Sequence, residues 1–165
     1  MITTVDIETT YDSNFNPSPF IATNKIVSVG INKEYYFFNH YEFTGDASKS
    51  FNAVQEILNQ TTVLIGHNIK FDLMWMLEAG FKYSGAVYDT MITEYVLLRG
   101  TKQSLKLSEC CKRRHLGTKL VNKVDQYIND GKSFGDIPID ILEEYGRKDV
   151  DITKELYDSQ QHNLR

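Results

Sequence analysis

The stretch Ile2-Thr3-Thr4-Val5-Asp6-Ile7-Glu8 decides the fold. It is rich in β-branched residues and alternates in polarity, so it predicts a strand. Side chains on a strand repeat every two residues, which puts Asp6 and Glu8 on one face. Two acids on one face of a central strand repel each other and lose hydration, so they need a compensating cation. The plainer reading is two solvated acids on an edge strand, because an Asp-x-Glu alone is a weak signal.

Working outward, residues 11–24 hold two of the three prolines and read as a loop. Strands are expected over 25–31 and 34–39, joined by a hairpin at Ile31-Asn32-Lys33-Glu34. Phe51, Val54, Ile57 and Leu58 have helical spacing within 50–60. A short strand over 62–65 ends at Gly66, and an apolar helix over 68–79 stops at Gly80. A strand over 86–88 leads into a helix over 89–98, broken by Gly100. Helices follow over 104–115 and 119–130, the second ended by Gly131. After Pro138, Asp140 with Glu143 resembles a capping box opening a long helix over 141–160. The first three strands have connections too short for crossovers and form an antiparallel meander. Later strands are separated by helices and join in parallel. The expected fold class is α/β: a mixed five-stranded sheet flanked by helices, with no internal repeat or linker.

A chain of 165 residues makes one domain spanning 1–165. Its 24% charged and 12% aromatic content argues against disorder. No apolar run exceeds five residues, the longest being 73–77, which excludes a transmembrane helix and a membrane partner. Residues 1–8 lack a basic start and carry two acids, unlike a secretory signal peptide. The only cysteines, Cys110 and Cys111, are adjacent and cannot staple distant loops. With His115 they still fall short of a zinc set. The expected location is intracellular and cytoplasmic, in a host cell's cytoplasm if the source is viral.

Net charge is −4, unevenly spread. From Arg99 to Lys123 there are eight bases, Arg113 and Arg114 among them, against one acid, Glu109; the window is +7 and the remainder −11. Such asymmetry fits a face for a polyanion and, elsewhere, a site rich in carboxylates, although a solvated helix surface explains the bases equally well.

Two further acid pairs stand out. Asn68 and Asp72 sit four apart and share a helix face. Each alone reads as an N-cap or a dipole partner, yet Asp72 interrupts an apolar run through Phe71, Leu73, Met74 and Trp75. Tyr145 and Asp149 are also four apart, on a stripe with Leu142, Ile152 and Leu156, where Asp149 is the misfit. Gly146 in mid-helix costs about 1 kcal/mol relative to Ala, which suggests close approach of another group. Four acids from three segments, Asp6, Glu8, Asp72 and Asp149, would collect oxygen-preferring cations such as Mg²⁺ or Mn²⁺. No Ser/His/Asp set and no phosphate-cradling glycine loop competes, leaving two-metal phosphoryl chemistry.

Val5-Asp6-Ile7-Glu8-Thr9-Thr10, Gly66-His67-Asn68-Ile69-Lys70-Phe71-Asp72 and Tyr145-Gly146-Arg147-Lys148-Asp149 resemble the three motifs of the DEDDy 3′–5′ exonucleases, D-x-E, N-x-x-x-D and Y-x-x-x-D. This is a DnaQ-like branch of the ribonuclease H-like superfamily. Tyr88-Asp89-Thr90-Met91 and Gln103-Ser104-Leu105 extend the likeness over almost the whole chain. It is closest to the proofreading exonuclease domain of family A DNA polymerases, phage enzymes included. Glu144 stands where the histidine branch of the superfamily carries histidine. The resemblance implies the ribonuclease H-like sheet. It also implies two Mg²⁺ ions, with Mn²⁺ as substitute. Asp6, Glu8 and Asp149 would hold the first ion, Asp6 would bridge, and Asp72 would hold the second through water. Tyr145 would orient the attacking water. Thr9 and Asn68 would contact the terminal nucleotide, and Phe71 or Tyr11 would stack on unpaired bases, with Arg113 and Arg114 on the phosphates. The implied substrate is DNA with single-stranded or frayed 3′ ends, the product 5′-mononucleotides, and the partner a DNA polymerase, fused after the last helix or separate. Alternatives are an RNA 3′ exonuclease and a non-catalytic nucleic-acid-binding module.

Overall fold

The computed structural model describes residues 1–11, 16–117 and 121–164. Strand β1, Ile2–Thr9, is buried on both faces and lies at the centre of the sheet. Strands β2, Ile26–Ile31, and β3, Glu34–Phe37, extend it antiparallel on one side. On the other side β4, Val63–Gly66, and β5, Ala86–Asp89, run parallel, giving the order β3-β2-β1-β4-β5. This is the mixed five-stranded sheet that the connection lengths predict.

The two faces of the sheet serve different purposes. Val5, Ile7, Val29 and Ile31 pack with Val54 and Leu58 of α1, Ala47–Gln60, and with Trp75 and Met76 of α2, Ile69–Glu78. Asp6 and Glu8 alternate to the opposite face, opposite Gly30 and Ser28 of β2. That face is covered by the long helix α6, Ile139–Asn163. Among the described residues the other α-helices are α3, Thr90–Leu97; α4, Leu107–Arg113; and α5, Val121–Asn129. Cys110 and Cys111 are free and fully buried with Leu107, Ile152 and Leu156 beneath α6. Burial pushes the Cys111 thiol up to about 12, so the pair packs rather than reacts. No helix among the described residues is long and apolar enough to cross a membrane.

Several boundaries differ from expectation, and three of them have a clear local reason. Helix α1 begins at Ala47, upstream of its first apolar position, because the Asp46 carboxylate accepts from the Ser48 N–H. Helix α4 begins only at Leu107, because the Leu105 carbonyl is taken by the His67 ring. The Asp140/Glu143 capping box does not form: α6 starts at Ile139, whose N–H donates to Glu42 Oε2 at 2.8 Å, and Asp140 lies inside the first turn. The reciprocal box is made instead by Ser133 and Asp136 around a 3₁₀ turn, Phe134–Asp136. The expected helix over 119–130 is described from Val121 onward, and residues 12–15 of the loop over 11–24 also lie outside the described residues.

Gly146 has a steric reason. A Cβ there would meet the Tyr35 ring, with Cε2 at 2.5 Å and Cζ at 2.7 Å. Gly30 is similar: a Cβ would come 2.7 Å from Val150 Cγ2. The two glycines let α6 settle on β2 with the Tyr35 ring between them, and that approach delivers Tyr145 and Asp149 to the sheet.

Candidate active site

The site is built where β1 passes under α6. One ligand oxygen each from Asp6, Glu8 and Asp149 lie within 4.8 Å of one another. Glu8 and Asp149 are buried and Asp6 is half-buried. Three carboxylates this close, largely withdrawn from water, form a donor set that suits a hard divalent cation. Tyr145, one helical turn before Asp149, is buried beside them and hydrogen-bonds to Asp149. Burial and then the charges of Glu8, Asp149 and Asp6 push its phenol well above the ordinary tyrosine range, so it remains an O–H donor at any physiological pH.

Asp72 reaches the site from the opposite side of β1. Strand β4 pairs with β1 only as far as Thr4. Beyond that point the strand edge is open, and Asp72 Oδ1 accepts from the Ile7 N–H at 3.0 Å. Asp72 thus sits at backbone level between Asp6 and Glu8, outside the tight set of three. Its carboxyl is pushed up to about 7, chiefly by burial; the Ile7 N–H works against that and the Asp89 charge adds to it.

Two of the three acids, Asp6 and Asp149, open into a cleft of about 750 Å³, with Glu8 buried behind them. Asp6, Tyr145 and Asp149 form its floor, and Asn68, Met91 and Lys106 are among the residues of its walls. Asn68 occupies the left-handed backbone region at φ 61°, which asparagine tolerates. Its side chain makes no cap bond to α2. Its N–H donates to Asp89 Oδ1, the same oxygen that caps α3 through Met91 and Ile92.

Several expected contacts are placed elsewhere. Arg113 and Arg114 both turn onto Glu94, at 3.4 and 2.8 Å. Glu94 is 2% exposed and also accepts from Gln160. A buried carboxylate needs such partners, so these arginines neutralise an internal charge and do not line the cleft. Phe71 packs toward Trp75, ring centroids 6.0 Å apart, and Thr9 is buried at the β-bulge that follows Glu8; neither lines the cleft. The Tyr11 hydroxyl donates to the Lys132 carbonyl at 2.7 Å.

Other cleft residues were given no role by the motif reading. His67 bridges Thr90 Oγ1 at 2.9 Å and the Leu105 carbonyl at 2.7 Å. Lys106, Met91 and Asp125 line the cleft although nothing in their local spacing marks them. Only the adjacency of Lys106 to the Gln103-Ser104-Leu105 segment hinted at it.

A divalent-cation donor set beneath a ribonuclease H-like sheet defines a class: nucleases that use carboxylate-bound metal. Residues 4–165 match the 3′–5′ exonuclease family DNA_pol_A_exo1, and the chain belongs to that family of hydrolases. No curated protein sequence matches it. Among solved structures, Brucella melitensis NrnC bound to pGG is similar in fold, with a TM-score of 0.67 at 17% identity over 99% of this chain and 72% of that one. A structure described as the apo form of the nuclease has the same TM-score at 15% identity, again over 99% and 72%. Brucella melitensis NrnC with bound Mg²⁺ has a TM-score of 0.52 at 15% identity, over 99% of this chain and 85% of that one.

Proposed function

We propose that this chain hydrolyses DNA from the 3′ end, preferentially single-stranded, releasing 5′-mononucleotides, and that it proofreads for a DNA polymerase, fused or separate. The observation that carries this reading is the convergence of Asp6, Glu8 and Asp149 within 4.8 Å beside a cleft that Asp6 and Asp149 line, with Tyr145 hydrogen-bonded to Asp149. On this reading the site takes two divalent ions, Mg²⁺ or Mn²⁺. Asp6, Glu8 and Asp149 would hold one; Asp6 with Asp72, through water, would hold the other. Such ions, when bound, lower the pKa of the attacking water and stabilise the leaving 3′ oxygen.

The chain's own groups do the rest. Tyr145 keeps its proton, fixes the Asp149 carboxylate and orients the attacking water from beside it. Asn68, strained into the left-handed region with its amide unused by the helix, contacts the terminal nucleotide. Thr9 and Phe71 act one step back, supporting β1 and α2. The structure bound to pGG favours a second reading, a short-oligonucleotide substrate.

The test is a gel assay with matched 5′-labelled single-stranded DNA, RNA and dinucleotide. It is run with Mg²⁺, with EDTA, and with Asp6→Asn. A metal-dependent 3′ ladder on DNA, absent in the variant, is expected. Preference for RNA or the dinucleotide overturns the DNA assignment. No cleavage of any substrate leaves a binding module.

A further inference from the structure

A polyanion entering this cleft meets Asp6 and Asp149 on the floor and Asp125 on the wall. Metal would compensate the floor, but the strand farther out needs a protein cation. The basic window from Arg99 to Lys123 is the obvious source, and the structure sorts it. Arg113 and Arg114 are committed to Glu94. Lys123 lies 3.8 Å from Glu144. Lys119 is outside the described residues. Arg99, Lys102, Lys106 and Lys112 are exposed and, among the described residues, have no ion-pair partner. Of these four only Lys106 lines the cleft.

Its position is fixed by its neighbour. A carbonyl only accepts, so the His67 ring donates from Nε2 to the Leu105 oxygen at 2.7 Å, and Nδ1 faces Thr90 Oγ1 at 2.9 Å. His67 immediately follows β4 and Thr90 immediately follows β5, so the ring ties the segment before α4 to the ends of two strands. That tie holds Leu105 and Lys106 over the cleft and delays the start of α4. The geometry points to Lys106 as the cation that binds a backbone phosphate of the nucleic-acid strand within the cleft, and to His67 as the residue that positions it. The inference rests on the exonuclease reading for its substrate, but it concerns this chain's residues and not the metal.

The test is steady-state kinetics on single-stranded DNA over a range of salt. Lys106→Ala should raise KM about tenfold with kcat changed less than twofold. It should also flatten the slope of log(kcat/KM) against log salt by about 0.7, the share of one phosphate contact on a single strand. Lys106→Arg should restore both. Neutral methylphosphonates placed one at a time outside the scissile position should include one that costs wild type about tenfold and Lys106→Ala nothing further. His67→Ala should reproduce the KM and slope changes and add little to Lys106→Ala, a pattern that general destabilisation would not give. An unchanged salt slope, or a fall in kcat at constant KM, overturns the assignment. If wild type cleaves nothing, the exonuclease reading fails, and fluorescence anisotropy with the same oligonucleotide decides the phosphate contact. Equal affinity and equal salt slope for wild type and Lys106→Ala then sink it.

Discussion

Replacing Asp6 by asparagine should abolish turnover and yet make the metal-free protein more stable. Asp6 contributes to two like-charge pairs, with Glu8 and with Asp149, at ligand-atom separations within 4.8 Å. At an effective dielectric of about 20, each pair at that distance repels by roughly 3 kcal/mol. Asp6 is half-buried, and water around it reduces this, so removal of one charge is worth about 2 kcal/mol in total. For a chain of this size about 1 kcal/mol moves Tm by about 2–4 °C, so Asp6→Asn should melt about 4–8 °C above wild type in EDTA at pH 8. Mg²⁺ should reverse the order. At a hundredfold excess over its Kd a bound ion adds about 2.7 kcal/mol to wild type, and the variant, lacking a shared ligand, gains much less. Differential scanning fluorimetry with and without Mg²⁺ reads both effects. The reasoning fails if Asp6→Asn melts below wild type in EDTA, or if Mg²⁺ raises both proteins equally, because the acids would then not be a strained cation site.

Tyr145→Phe should lower kcat at least tenfold while the Mg²⁺-induced rise in Tm persists; equal kcat would show that the phenol only packs against Phe134. Asp72 gives a pH signature. Its carboxyl is raised in the folded protein, so between about pH 4 and 7 the folded state binds more protons than the unfolded one, and the stability of metal-free protein falls as pH rises through that window. Urea melts at pH 4.5 and 7.5 should show a fall that Asp72→Asn lacks. Glu94→Ala should destabilise by about 3–5 kcal/mol, since it leaves two largely buried guanidinium groups without their shared carboxylate, whereas KM for DNA in the folded fraction should hold. Gly146→Ala sets a helix-propensity gain of about 1 kcal/mol against overpacking of about 1–3 kcal/mol on Tyr35; kcat should fall more than stability does.

The acids were legible because each breaks a pattern. Asp6 and Glu8 share the face of a strand whose other positions are apolar or β-branched; Asp72 and Asp149 interrupt apolar stripes. A charge on a face built for burial has few explanations, and convergence with other such charges is one of them. The mix of antiparallel and parallel strands was legible for a similar reason, since short connections forbid crossovers and long helical ones permit them. Which bases face the cleft was not legible, because that depends on which counter-charge each base meets. Arg113 and Arg114 belong to a basic run and read as phosphate ligands. Their partner Glu94 lies about twenty residues away in a helix with no other charged residue, and no spacing rule links the two. The bases of the window could be counted but not sorted from sequence: two pair with Glu94, and the one that lines the cleft among the described residues, Lys106, is marked by no motif.

Gly146 carries the same lesson in steric form. Its cost within a helix was visible in the sequence, but the Tyr35 ring that requires it sits on β3, over a hundred residues earlier. The Tyr35 hydroxyl is itself held by Ser28 Oγ at 2.8 Å, opposite Glu8 in the β1–β2 register. Ser28, Tyr35 and Gly146 therefore form a chain of contacts from the strand beside Glu8 to the helix turn that carries Tyr145 and Asp149. The separation between the β1 acids and the α6 acid is set by the thickness of one aromatic ring with no Cβ on its far side. A site that needs three oxygens within 4.8 Å is sensitive to a shift of a few tenths of an ångström along that chain. The glycine therefore belongs to the machinery although it touches neither metal nor substrate.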